Sequence, residues 1–172
     1  MNAVRLTVGQ RADLWLRHAT PMLLTLVLAV LSVVPIGIPG YWAVVPAYTA
    51  MAAFYWGVFR PDLQPASALF AIGVLQDILA GTPVGLTAVV LLLIHSLATS
   101  QRRAFLGKPF VLAWLGFALI QAPVAAFAWL LASGLALRPI GGEPVLFQYL
   151  GTVTLFPVVA WIFVRVHRYI VR

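Results

Sequence analysis

Cysteine is absent from this chain of 172 residues. Disulfide frameworks, thiol nucleophiles and thiolate metal sites are therefore excluded. Acid is almost as scarce, with Asp13, Asp62, Asp77 and Glu143 the four carboxylates. Charged residues make up only 9% of the sequence, whereas soluble domains carry about a quarter. Such a chain cannot dress itself in a polar skin, so its apolar surface must meet lipid. What is abundant agrees: 63% of the residues are hydrophobic, and the mean hydropathy is +1.01. Composition alone predicts an integral membrane protein.

The formal net charge is +7. In a soluble protein that excess would suggest nucleic acid as a partner. Here the basic residues fall in short clusters between apolar runs, which is how topology is signalled, and nucleic acid is excluded as a partner.

A helix needs about 20 apolar residues to cross the hydrocarbon core. Six runs qualify, over residues 19–36, 41–59, 63–80, 84–98, 109–137 and 145–166. The predicted fold is an all-α bundle of six transmembrane helices. Proline and glycine punctuate it at 35–40 (PIGIPG), 60–62 (RPD), 81–85 (GTPVG), 100–109 and 138–144, because proline lacks an N–H and glycine is costly to order. With six spans, the N-terminus, the second and fourth connections and the C-terminus share one side. That side holds ten of the eleven basic residues, and the other holds Arg138. The positive-inside rule makes the ten-residue side cytoplasmic, with both termini inside. The expected division is a basic segment over 1–18, a transmembrane domain over 19–166 and a basic tail over 167–172. The first span lacks a small-x-small cleavage site and is expected to be a retained helix. The stretch before it, residues 4–19, is mildly amphipathic and reads either as an interfacial or docking segment or as a basic flank that sets topology.

The stretch 60–86, RPDLQPASALFAIGVLQDILAGTPVGL, holds two of the four acids. Asp62 follows Pro61 at the start of the third span, where an acid suits the positive helix N-terminus and can cap free N–H groups. Asp77 lies in the last turn of the same span, where the dipole of its own helix is unfavourable. A carboxylate there must face other helices or water. Arg138, the one basic residue on the outer side, is the expected ion-pair partner. The alternatives are a proton or cation site and a plain interfacial residue. Fifteen residues of helix separate the two acids by ~22 Å, so they form no catalytic dyad. A proton relay needs a chain of ionisable groups at depth; His95 lies ~16 Å from the outer end and reads as a packing or interfacial residue.

Gly81 and Gly85 match GxxxG by letter, but Pro83 between them makes the stretch a turn. Gly73, one helical turn before Asp77, allows close packing beside the acid. Ala53 with Gly57, and Ala122 with Ala126, are further close-packing candidates. Pro123 is expected to kink the fifth helix, with Gln121 bonding the freed carbonyl. Trp15, Tyr41, Trp42, Trp56, Tyr149, Trp161 and Tyr169 lie near span ends and fit an aromatic belt. No metal-ligand spacing, serine–base pair or phosphate-cradling glycine loop is present, so neither catalysis nor a cofactor is expected.

The same stretch resembles the signature region of the MreD family of bacterial rod shape-determining proteins. Arg60, Pro61, Asp62, Gly73, Gln76, Asp77, Gly81, Pro83, Gly85 and Leu86 match the family's R-P-D … G-x-x-Q-D-x-x-x-G-x-P-x-G-L pattern in order and spacing. A mild departure comes near Thr87, where the family often has asparagine. The resemblance implies a non-enzymatic scaffold of the peptidoglycan elongation machinery in the bacterial inner membrane. Its implied partner is MreC, a protein with one span. Through MreC it would connect to the glycosyltransferase RodA, its transpeptidase and the MreB filament. The family is also similar in shape to the substrate-binding S components of vitamin ECF transporters, which makes a vitamin uptake subunit the alternative function. The matched residues are expected to shape the helix core or to contact a partner.

Overall fold

The computed structural model describes the backbone of residues 8–34, 45–136 and 141–169, and the side chains of 19–34, 45–136 and 141–168. Among these residues the chain is all-helical, with six α-helices: α1 (Val8–Val33), α2 (Tyr48–Phe59), α3 (Ala66–Ala80), α4 (Leu86–Phe105), α5 (Phe110–Leu135) and α6 (Glu143–Tyr169). One 3₁₀ turn, Pro61–Leu63, joins α2 to α3.

Helix α2 is the centre of the bundle. Every residue from Thr49 to Val58 is buried, and α1, α4 and α6 all pack against it, while α3 packs on α1 and α4, and α5 on α4 and α6. Its sequence explains the position. YTAMAAFYWGVF has no polar face to give to solvent, and Ala50, Ala52, Ala53 and Gly57 let neighbouring backbones approach. A Cβ added at Gly57 would lie 3.1 Å from His95 Nδ1 and 3.2 Å from Ala98 Cβ. His95 is accordingly a buried packing residue between α2 and α4. Phe54 of α2 meets Phe105, Phe117 and Phe156 at centroid distances of 5.8, 5.2 and 5.7 Å, joining α4, α5 and α6 through one aromatic cluster.

The outside is as apolar as the core, unlike that of a soluble domain, and a few polar groups are buried inside. Leu119 is 77% exposed, Val84 69% and Ile78 62%, whereas Thr25, Gln64, Asp77, Gln121 and Thr152 are buried. Helices α5 and α6 are long and apolar enough to cross a membrane, and Ala19–Val33 and Ala66–Ala80 are shorter apolar helices. Between helices in lipid, packing and hydrogen bonds supply the cohesion. Trp114 Nε1 donates to the Val153 carbonyl at 2.8 Å and the Tyr149 hydroxyl to the Ala118 carbonyl at 3.1 Å, tying α5 to α6. Ahead of α2, the Ala47 N–H donates to Thr152 Oγ1 at 3.0 Å, and Gln148 Nε2 donates to the Val45 carbonyl at 2.9 Å.

Several elements differ from the sequence reading. Helix α4 continues to Phe105, past the expected end at Ala98, because hydropathy reports the lipid-facing length and Gln101, Arg102 and Arg103 are good helix formers. The turn expected over 100–109 shrinks to the four residues between α4 and α5. Helix α3 starts at Ala66 instead of Leu63, since Pro65 holds the residue before it out of helical geometry. Trp56 belongs to no belt: it is fully buried against Phe163 and Tyr55. Ala122 and Ala126 are exposed, off the buried stripe of Ala113, Phe117, Ile120, Gln121 and Val124. Gln121 is buried and its Oε1 is unpaired. The turn expected at 35–40, and the side chains of Trp15, Tyr41, Trp42 and Tyr169, lie outside the described residues.

Candidate functional site

The candidate site is the run from the end of α2 through the α3–α4 hairpin. Arg60 ends α2, its N–H donating to the Trp56 carbonyl at 2.8 Å. Its guanidinium reaches the Asp62 carboxylate two residues on, Nη2 to Oδ2 at 3.1 Å and Nε to both oxygens at 3.3 Å. Pro61 opens the 3₁₀ turn that folds these side chains together. The expected cap is not formed. The N-cap of α3 is Pro65, with no side-chain capping bond, because the 3₁₀ turn and Pro65 set Asp62 apart from the helix start. The side chains of Arg60 and Asp62 are 31% and 59% exposed, so their charges face outward.

The next two residues, which the sequence reading left out of the site, anchor the segment. Leu63 and Gln64 are buried. Gln64 Nε2 donates to Thr25 Oγ1 of α1 at 2.8 Å, and that hydroxyl donates to the Pro21 carbonyl at 2.8 Å. Pro21 has no N–H to continue the helix ladder, and Thr25 and Gln64 bring polar groups to α1 one turn further on.

Along α3, Gly73 marks the closest approach to α4. A Cβ there would overlap the Ala88 backbone, lying 2.6 Å from its nitrogen. One turn later Gln76 is half-buried, with its Oε1 buried and unpaired. Asp77 follows, fully buried.

Asp77 closes two helix ends at once. Its backbone carbonyl accepts the N–H groups of Gly81 and Thr82, finishing α3. Gly81 takes the left-handed conformation this ending requires, at φ +69. Its carboxylate meanwhile reaches the start of α4. It accepts the Gly85 N–H at 2.8 Å, the Thr87 N–H at 3.1 Å to each oxygen, and the Thr82 hydroxyl at 2.8 Å. The first N–H groups of a helix have no partner within it and carry its positive dipole end. The dipole of α3 disfavours a carboxylate at this point, and the N-terminus of α4 supplies what α3 does not.

The hairpin's remaining letters serve the same geometry. Gly85 stands at φ +99 and ψ −12, the third-position geometry of a type II turn, which favours glycine. The turn closes with the Leu86 N–H donating to the Pro83 carbonyl at 3.1 Å. The space beside Gly81 and Gly85 is open, so their backbone conformation, and not crowding, requires glycine. The contact from residue 87 runs through its backbone, so threonine in place of asparagine leaves it intact.

The structure therefore brings Gly73, Gln76, Asp77, Gly81, Pro83 and Gly85 onto one hairpin, and places Arg60, Pro61 and Asp62 in the turn before it. Arg138, the expected partner of Asp77, lies outside the described residues. Among the described residues no three His, Cys, Asp or Glu side chains converge as a metal site.

The model of the family described as rod shape-determining protein MreD matches residues 14–165, nearly the whole chain. No curated protein matches the chain, and no solved structure does.

Proposed function

Because the chain belongs to the MreD family of rod shape-determining membrane proteins, we propose that it is a non-enzymatic scaffold of the bacterial cell-elongation machinery. In this reading it crosses the inner membrane six times, with both termini in the cytoplasm, in a bundle similar in shape to the S components of vitamin transporters. The basic segment 1–18 and the tail 167–172 flank the transmembrane domain 19–166. It binds a single-span protein of the MreC kind and through it connects to a RodA-type glycosyltransferase, the transpeptidase and the MreB filament.

The observation that carries the reading is the family match over residues 14–165. The site chemistry is consistent with it. The buried acid accepts backbone N–H groups and a hydroxyl, as a group holding a shape would. The roles divide along the chain. Gly73, Asp77, Gly81, Pro83 and Gly85 maintain the hairpin, while Arg60, Pro61, Asp62 and Gln76 offer groups to a partner. Pairing of Asp77 with Arg138 belongs to the same proposal.

Affinity purification of the tagged chain from native membranes in mild detergent, followed by mass spectrometry, tests the proposal. Recovery of a single-span MreC-like protein in fixed ratio supports it. Recovery of ATPase subunits with a bound vitamin overturns it in favour of an uptake transporter.

A further inference from the structure

Helix α4 ends and α5 begins within a few residues of each other, and three cations occupy that corner. Arg102 and Arg103 lie in the last turn of α4, and Lys108 stands in the connection. Gly107 takes a left-handed φ of +74, and the chain reverses in four residues. Two of the cations, Arg103 and Lys108, are exposed. Arg102 is half-buried, and its Nε is buried and unpaired. The last carbonyls of α4 favour cations nearby, but that accounts for placement and leaves the buried Arg102 Nε without a partner among the described residues. Of the acids that precede the corner in the described chain, Asp77 is engaged at the start of α4 and Asp62 by Arg60.

The position of the corner relative to lipid follows from α5, which is long and apolar enough to cross a membrane and starts at Phe110. Lys108 is two residues before that start, so the cations stand at headgroup level. Directly beside them the surface turns apolar: Leu106 is 41% exposed, Val111 54% and Leu112 44%. Clustered cations beside exposed apolar side chains are complementary to a molecule with an anionic head and acyl chains.

We propose that the α4–α5 corner is a binding site for an anionic phospholipid. Arg102, Arg103 and Lys108 hold the phosphate headgroup, and the acyl chains lie along Leu106, Val111 and Leu112. Each basic residue near an anionic headgroup adds attraction, and arginine presents several donors to a phosphate. The inference goes beyond the scaffold reading and does not depend on it.

Native mass spectrometry of the full chain in detergent, titrated with phosphatidylglycerol or with phosphatidylcholine, tests the proposal. The wild-type chain should retain phosphatidylglycerol at least about tenfold more tightly than phosphatidylcholine. The triple variant R102Q/R103Q/K108Q should lose that preference. The control R165Q/R168Q/R172Q, which removes the same charge from the C-terminal end, should keep it. Lys108→Glu, at an exposed loop position, gives a second reading should the triple variant fail to fold, with an expected loss of about fivefold or more. Equal losses in the corner and control variants would reduce the effect to net charge and overturn the site. Equal retention of the two lipids would overturn it as well. Displacement of phosphatidylglycerol by millimolar inorganic phosphate would reassign the corner to a free anion.

Discussion

Replacing Asp77 by alanine removes the acceptor for three donors: the Thr82 hydroxyl and the N–H groups of Gly85 and Thr87. Loss of an N-terminal cap costs about 1 kcal/mol, and a hydrogen bond to a charged acceptor is worth ~1.5–3 kcal/mol. The exposed turn at Thr82, Pro83 and Val84 lets water or headgroups reach some of the released donors. We therefore count about 1 kcal/mol per donor, or about 3 kcal/mol for Asp77→Ala. Asp77→Asn keeps the shape and one acceptor oxygen. Where that oxygen faces Thr82 and Thr87, its NH₂ group opposes the Gly85 N–H, so half to two-thirds of the full loss is expected. In a chain of this size each kcal/mol moves the melting midpoint by about 2–4 °C. Thermal unfolding in detergent, followed by circular dichroism, should show Asp77→Ala melting about 6–12 °C lower and Asp77→Asn between it and wild type. Thr82→Val should cost about 1 kcal/mol alone and almost nothing in the Asp77→Ala background, because its partner is already gone. An Asp77→Asn protein as stable as wild type would refute the capping account. So would additive losses for Thr82→Val and Asp77→Ala.

Gly73→Ala should destabilise the hairpin by about 1–3 kcal/mol, since α3 and α4 must separate to admit the methyl group; Ala88→Gly should rescue little, because the overlap is with the Ala88 backbone, and the same melts measure both. At Gly81, alanine should cost about 1 kcal/mol and asparagine less, since the space there is open and only the left-handed backbone is demanding; a greater loss with asparagine would contradict this. If Asp77 and Arg138 pair, a double-mutant cycle should give a coupling of about 1 kcal/mol or more, and additivity within about 0.5 kcal/mol would leave the cap as the acid's whole role. Arg60→Ala should lower stability by less than about 1 kcal/mol, as exposed pairs do. Loss of the co-purifying single-span protein at unchanged melting temperature would then assign Arg60 to the partner contact, and retention of that protein would remove it.

The elements most legible in the sequence were those whose causes are local. GTPVG was readable as a turn, because Gly81 and Gly85 adopt backbone angles that glycine favours and proline cannot continue a helix. The apolar runs were readable as helices because lipid demands them. Which helix sits at the centre was harder, since α2 and α5 are both apolar on all sides and both rich in alanine and glycine; only the packing of the other helices singles out α2. The role of Asp77 was hidden for a different reason. Hydropathy and dipole arguments treat one helix at a time, and two of its donors are backbone N–H groups, which every residue but proline carries. Even so, every donor to its carboxylate lies within ten residues of it. The hairpin is thus specified by its own short sequence, and a motif of this length is recognisable in a single chain. The tie between Gln64 and Thr25 spans 39 residues and has no such local signature. Gln64 stood in plain view inside RPDLQP, yet only the fold brings α1 to meet it.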